Sequence, residues 1–208
     1  MMHRYAPEFF NRTTFESAQS VSLTPGGGMG TAERWEKETA WLAKRIFFPG
    51  GDLVIDYGCG TGRVSKLFNR PVIGVDISPT MRSYALEYVN RTTFATVTPQ
   101  CFRAMVAAGM RADGAMAIWA FQHVDEIEAT VHVLMTGIKP KGLFWLLDLC
   151  ERNVPALDKD GKLIMINDRK DMLSMLEPWC DLEKEEKLDI WPEEPANGGY
   201  LRRFRRRH

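Results

Sequence analysis

The 208-residue chain holds only four cysteines, at positions 59, 101, 150 and 180. They lie far apart and form no C-x-x-C pair, which excludes the usual zinc spacings and a disulfide framework. Reduced thiols in a cytoplasmic setting are therefore expected. Long hydrophobic runs are missing as well: no apolar stretch approaches the length of a membrane span, and the opening Met-Met-His-Arg-Tyr-Ala-Pro has no secretory h-region. No membrane partner is expected. Neither sign of charge is in excess, with 27 Lys and Arg against 27 Asp and Glu, so nothing global points to nucleic acid or to an acidic surface. Internal repeats are absent. What remains is an ordinary globular composition, at a length that suits one domain and is short for two.

Residues 51–78 organise the chain. A short apolar run, Leu53, Val54 and Ile55, meets Asp56 and then three alternating glycines, Gly58, Gly60 and Gly62, before residues 63–69, which read as a helix. A second apolar run, 72–75, ends in Asp76, fourteen positions after Gly62 and twenty after Asp56. A βαβ unit puts that carboxylate beside the glycine turn, where it can accept hydrogen bonds from both hydroxyls of a ribose. Glycine opens backbone conformations closed to other residues and lets a ligand approach without a Cβ in the way. The pattern predicts a nucleoside site.

What the motif lacks narrows the ligand. A dinucleotide fingerprint read from Gly58 needs a small residue at 63, where Arg63 stands. A phosphate loop needs Lys followed by Ser or Thr after its last glycine, and neither is present. Asp56 adds negative charge where a pyrophosphate would lie and suits a cationic ligand.

The stretch Asp56-Tyr57-Gly58-Cys59-Gly60-Thr61-Gly62 with Asp76 resembles the class I methyltransferase family, which binds S-adenosylmethionine and releases S-adenosylhomocysteine. The resemblance covers about residues 51–150. It implies an α/β fold with a doubly wound, mainly parallel seven-stranded sheet and an N-terminal helical cap. It further implies that Asp56 orients the methionine ammonium, usually through water, that the backbone of Gly58, Cys59, Gly60 and Gly62 faces the methionine part, and that Asp76 holds the ribose. Ile77 would lie against adenine with Met81 close by. Many relatives carry an aspartate near the end of the third strand to accept the adenine amino group; none is present here, and the Gln100 carbonyl, or the backbone, could take that role.

Residues 115–119 read as a buried strand, and in a doubly wound sheet the residues after such a strand face the reaction centre. Trp119-Ala120-Phe121-Gln122-His123-Val124 resembles the family's fourth-strand exit. The resemblance places the backbone carbonyls of Trp119 or Ala120 at the methionine ammonium and Phe121 and Gln122 on the substrate side. His123 is the candidate base, since an imidazole can take a proton near neutrality. It can equally cap or support the next helix. Arg34 and Met29 are candidates for the cofactor's methionine end. Asp148 and Glu151, at or beyond a later strand end, could grip a polar substrate, hold a divalent metal or be solvated loop charges. No pattern requires a metal.

The remaining chain supplies the frame. Residues 1–28 carry Tyr5, Phe9, Phe10, Arg12 and Phe15, read as core packing or a dimer contact, and end in a glycine loop at 26–28. A helix is predicted from Thr31, as N-cap, to about Phe48. Further helices are predicted over 79–90, 101–110, 126–139 and 168–179, with His132 as a surface or packing residue, and strands over 94–97, 143–148, 163–166, 182–190 and 200–206. A turn at 158–162 and a loop over 191–199 separate the later elements. The last two strands form an antiparallel pair that completes the sheet. The run Arg202-Arg203-Phe204-Arg205-Arg206-Arg207 reads as a charged edge strand that resists pairing, or as a phosphate contact. The expectation is a single domain over 1–208, with a cap at 1–50, a cofactor core at 51–150 and a substrate-side segment at 151–208. The expected partner is a small-molecule acceptor. The alternatives are an RNA or protein methyltransferase docking through the arginine tail or the N-terminal segment, and a non-catalytic S-adenosylmethionine-binding module. No pattern specifies an oligomeric state.

Overall fold

The computed structural model describes residues 10–23, 30–149, 156–157, 163–165, 169–190 and 199–208. Tyr5, Phe9, the glycine run 26–28, Met29, Glu151, the 158–162 turn and the 191–198 part of the last loop lie outside the described residues.

Two helices precede the sheet. In α1 (Phe15–Ser22) the Thr14 hydroxyl accepts from the Ser17 N–H while the Ser17 hydroxyl accepts from the Thr14 N–H, so two otherwise orphaned donors are satisfied. In α2 (Thr31–Ala43) the cap is Gly30 rather than Thr31, and Ile46 and Phe48 follow the helix as buried coil instead of forming its last turn. The core then runs β1 (Val54–Tyr57), β2 (Val72–Val75), α3 (Pro79–Val89), β3 (Phe94–Val97), α4 (Pro99–Ala107), β4 (Ala112–Ile118), α5 (Ile127–Gly137) and β5 (Ile138–Leu149). A two-stranded hairpin, β6 (Ala156–Leu157) with β7 (Leu163–Met165), precedes α6 (Arg169–Leu176), β8 (Cys180–Lys187) and β9 (Gly199–Arg206).

The sheet order is β3-β2-β1-β4-β5-β9-β8, parallel from β3 to β5 and antiparallel for the last two strands. One apolar cluster joins the sheet to α4, α5 and α6; the other joins it to α2 and α3. Helices thus cover both faces, as the all-buried pattern of β1 demands. Strand order reverses between β1 and β4, and a ligand crevice opens outside their carboxyl ends.

Local caps set two of the helices beside that crevice. Ser78 accepts from the Met81 N–H and Thr98 from the Cys101 N–H, and Pro79 and Pro99 are the first residues of α3 and α4.

Two expectations are corrected. Residues 63–69 do not form an α-helix; only a 3-10 turn, Ser65–Leu67, follows the glycines. Arg91 donates to the carbonyls of Ser65 and Phe68, taking acceptors that further helical turns would use, and Phe68 is already extended toward β2. The arginine tail is not an edge. β9 is inside the sheet between β5 and β8, and the acidic β8 is the edge strand.

Candidate active site

The glycine turn is fastened to β2. The Gly58 and Cys59 N–H groups donate to the Val75 carbonyl at 2.7 and 3.1 Å. Asp76, at the exit of β2, accepts from the Gly60 N–H through Oδ2 and from the Ser78 N–H through Oδ1, both at 2.9 Å. Burial pushes the Asp76 carboxyl up from its ordinary range while those two N–H groups and Arg82 hold it down. Asp56 is buried at the end of β1, where its Oδ2 accepts the Ser65 hydroxyl at 2.6 Å. Desolvation pushes its carboxyl up to about 6, against the pull of Ser65 and Arg63.

The glycines serve packing more than the sequence implies. At Gly58 (φ +76°) a Cβ would stand 2.3 Å from the Ala120 Cβ, so the missing side chain lets the β4 exit press on the turn. At Gly62 (φ +78°) the corresponding space is filled by Val89 and Ala85 of α3, so its role is to seat the turn on that helix. The Cys59 side chain is buried in the apolar cluster, and burial raises its thiol well above the ordinary range; only its backbone is left for a ligand.

Ile77 is 45% exposed beside Asp76, an apolar surface suited to a flat ring. Met81 is 2% exposed and gives a ligand no access, which corrects its place in the adenine site. Gln100 is exposed on the first turn of α4.

Trp119 leaves β4 in the left-handed region, φ +58°, with its N–H on the Leu147 carbonyl at 2.9 Å. This turn sends the chain into the 3-10 turn Phe121–His123. Phe121 is fully buried, with its ring centroid 5.6 Å from that of Phe144 and 6.2 Å from that of Tyr57, so it belongs to the core and not to the substrate surface. Gln122 is buried with Oε1 unbonded among the described residues. His123 is half-buried with Phe10 edge-on at 5.3 Å, so the N-terminal segment reaches the β4 exit. That segment also touches the β2 exit, where the Arg12 N–H donates to Thr80 and the Ser78 hydroxyl to the Phe10 carbonyl. His132, by contrast, packs on Trp179.

Asp148 is corrected outright. It is fully buried in an ion pair with the equally buried Arg202, whose Nε donates to Glu185 at 2.6 Å, so its carboxylate is committed within the sheet. Three of the other four tail arginines pair with β8: Arg203 and Arg205 with Glu183, and Arg207 with Asp181.

Three participants escaped the sequence reading. Ser65 holds Asp56, while Glu38 and Arg63 form a buried ion pair at 2.6 Å. A signal for Glu38 was present, since it falls three residues after Trp35 and four before Leu42, on the apolar stripe of α2. Among the described residues no group of three or more His, Cys, Asp or Glu could hold a metal ion. No helix among them is long and apolar enough to cross a membrane.

A doubly wound sheet whose reversal point holds a glycine turn locked to an acid on the neighbouring strand tip forms the candidate site. Residues 55–146 match the family model described as a methyltransferase domain. It is 30% identical over 154 residues to a demethylmenaquinone methyltransferase from Symbiobacterium thermophilum, covering 70% of this chain and 59% of that one. It is also 30% identical over 99 residues to a ubiquinone biosynthesis O-methyltransferase from a Methylobacterium species, covering 46% of this chain and 40% of the relative. The chain therefore spans about half the length of these curated relatives. The fold is shared with magnesium protoporphyrin IX methyltransferase from Synechocystis, solved with bound S-adenosylhomocysteine, at TM-score 0.64 and 17% identity over 96% of this chain and 97% of that one. It is shared equally with the [4+2]-cyclase SpnF, at TM-score 0.65 and 14% identity over 88% of this chain and 85% of that one, so the architecture alone does not fix the chemistry.

Proposed function

We propose that this protein transfers a methyl group from S-adenosylmethionine to an oxygen or nitrogen of a small, partly apolar acceptor, releasing S-adenosylhomocysteine. The observation that carries the reading is the Gly60 N–H bond to Asp76 beside exposed Ile77, which aligns a carboxylate and an apolar surface at the sheet's reversal point. Asp76 would hold the ribose, Ile77 the adenine, and the backbone of 58–60 with the carbonyls of Trp119 and Ala120 the methionine end. Buried polar atoms without hydrogen-bond partners among the described residues, Thr61 Oγ1 and Gln122 Oε1, would suit a polar ligand in this region.

When bound, the cofactor supplies a sulfonium methyl that is reactive without prior activation. The protein's own part is to orient and to exclude water; positioning can contribute about 7–11 kcal/mol at its upper range. His123, at the β4 exit against Phe10, would take the acceptor's proton. The aromatic residues Phe10, Phe15 and Trp35 of the N-terminal segment favour an apolar acceptor, in keeping with relatives named for demethylmenaquinone and ubiquinone biosynthesis. A docking role for the arginine tail is disfavoured because four of its guanidinium groups face carboxylates.

Calorimetry with S-adenosylhomocysteine tests the reading. Asp76→Ala should weaken binding severely while His123→Ala leaves it nearly intact and, in a mass-spectrometric acceptor screen, reduces turnover. Equal loss of affinity in both variants would reverse the division of roles, and no uptake by the unaltered protein would end the case.

A further inference from the structure

We propose that Glu38 is a positioning residue for the cofactor's methionine end, acting through Trp119. The inference rests on the cofactor reading above and extends it to a cap-helix residue outside the glycine motif.

Glu38 is fully buried on α2. A carboxylate taken out of water survives there only if paired and hydrogen-bonded. Its Oε1 receives two donors from different parts of the site, Arg63 Nη2 at 2.6 Å and the indole Nε1 of Trp119 at 2.7 Å. Arg34 Nε stands 3.8 Å from Oε2, and the Arg34 guanidinium lies 5.9 Å from the Trp119 ring centroid. One carboxylate therefore ties the cap helix to the segment after the glycine turn and to the β4 exit.

Trp119 is the residue whose conformation needs such a tie. A non-glycine residue in the left-handed region is strained by about 1–2 kcal/mol and stays there only when its surroundings over-determine it. Its backbone N–H is fixed on Leu147, and its indole is fixed at both ends. Nε1 sits on Glu38, and a Cβ at Gly199 would stand 2.4 Å from Cη2, so the six-membered ring lies close against the start of β9. A side chain held at two points sets the torsions of its own backbone, and with them the direction of the Trp119 carbonyl. Release of the indole lets residue 119 relax toward negative φ and turns that carbonyl away. The charge on Glu38 also balances Arg63 and Arg34, which an amide would not.

Three single variants and one double variant separate positioning from stability. Trp119→Phe keeps an aromatic ring but loses the N–H and the outer edge of the indole against β9, so both fixing points go, while the Glu38–Arg63 pair stays in place. Its melting temperature should stay close to that of the unaltered protein while its affinity for S-adenosylhomocysteine falls about ten-fold or more. Glu38→Ala should lose both stability and affinity, Glu38→Gln should recover part of the affinity because its amide oxygen still accepts the indole N–H, and the Glu38→Ala/Trp119→Phe double variant should bind within about two-fold of Glu38→Ala alone. Unchanged affinity in Trp119→Phe, or losses that multiply in the double variant, would overturn the proposal while leaving the cofactor reading intact. Unaltered protein that takes up no S-adenosylhomocysteine would overturn both.

Discussion

Replacing Gly58 with alanine strikes the contact on which the crevice is built. The residue has φ +76°, and an added Cβ would meet the Ala120 Cβ at 2.3 Å, far inside the 3.5–4.0 Å at which carbon atoms attract one another. The left-handed conformation costs an L-residue about 1–2 kcal/mol, and forcing the turn and the β4 exit apart costs about 1–3 kcal/mol as overpacking. Together the loss is about 2–5 kcal/mol, or a fall of about 4–20 °C in melting temperature for a domain of this size. Urea unfolding followed by tryptophan fluorescence measures it. The two contributions separate in a cycle with Ala120→Gly, which removes the clash but not the φ strain; the double variant should be more stable than the summed singles by about 1–3 kcal/mol. Gly58→Ala within about 0.5 kcal/mol of the unaltered protein, or strict additivity in the cycle, would refute the close approach of turn and exit.

Three further outcomes are expected. Burial raises the Asp56 carboxyl to about 6 from an ordinary 3.8, so between about pH 4 and 6 the folded state keeps a proton that the unfolded chain has released; this group's contribution to stability is greatest below pH 4 and is lost by about pH 6. Asp56→Asn should remove about 2–3 kcal/mol of that downward slope in a pH series of urea unfolding, leaving the contribution of Asp76, whose carboxyl burial also raises, and an identical slope in both proteins would contradict the burial of Asp56. Asp148→Ala leaves Arg202 buried with one of its two partners gone and should cost about 3–5 kcal/mol by thermal denaturation, whereas an exposed substrate-gripping acid would cost little. Because the tail arginines face β8 carboxylates, the protein should leave heparin at low salt; retention that yields only to high salt would revive a polyanion partner.

The core of the site was legible because its signals are local. Asp76 follows directly from an apolar run, Pro79 opens the helix expected there, and β3 spans the residues its pattern implied, whereas α4 starts at Pro99, two residues before the expected 101. The helix over 63–69 tightens into a single 3-10 turn and Phe68 turns extended toward β2, its end held by Arg91, more than twenty residues on, which donates to the Ser65 and Phe68 carbonyls. Asp148 was read as a substrate ligand because its partner, Arg202, is 54 residues away and meets it only once β9 enters the sheet beside β5.

By itself the sequence determined the succession of strand, glycine turn and acid, and therefore the kind of ligand the reversal point can accept. Each of those choices depends on backbone preference and apolar period within a few residues. Tertiary structure alone decided which polar side chains are buried and with what: Asp56 with Ser65, Glu38 with Arg63 and Trp119, Asp148 with Arg202. A side chain's desolvation and its neutralising partner are properties of the packed assembly, set by strand order and by which helix covers which face, and no short window of the chain contains both members of such a pair.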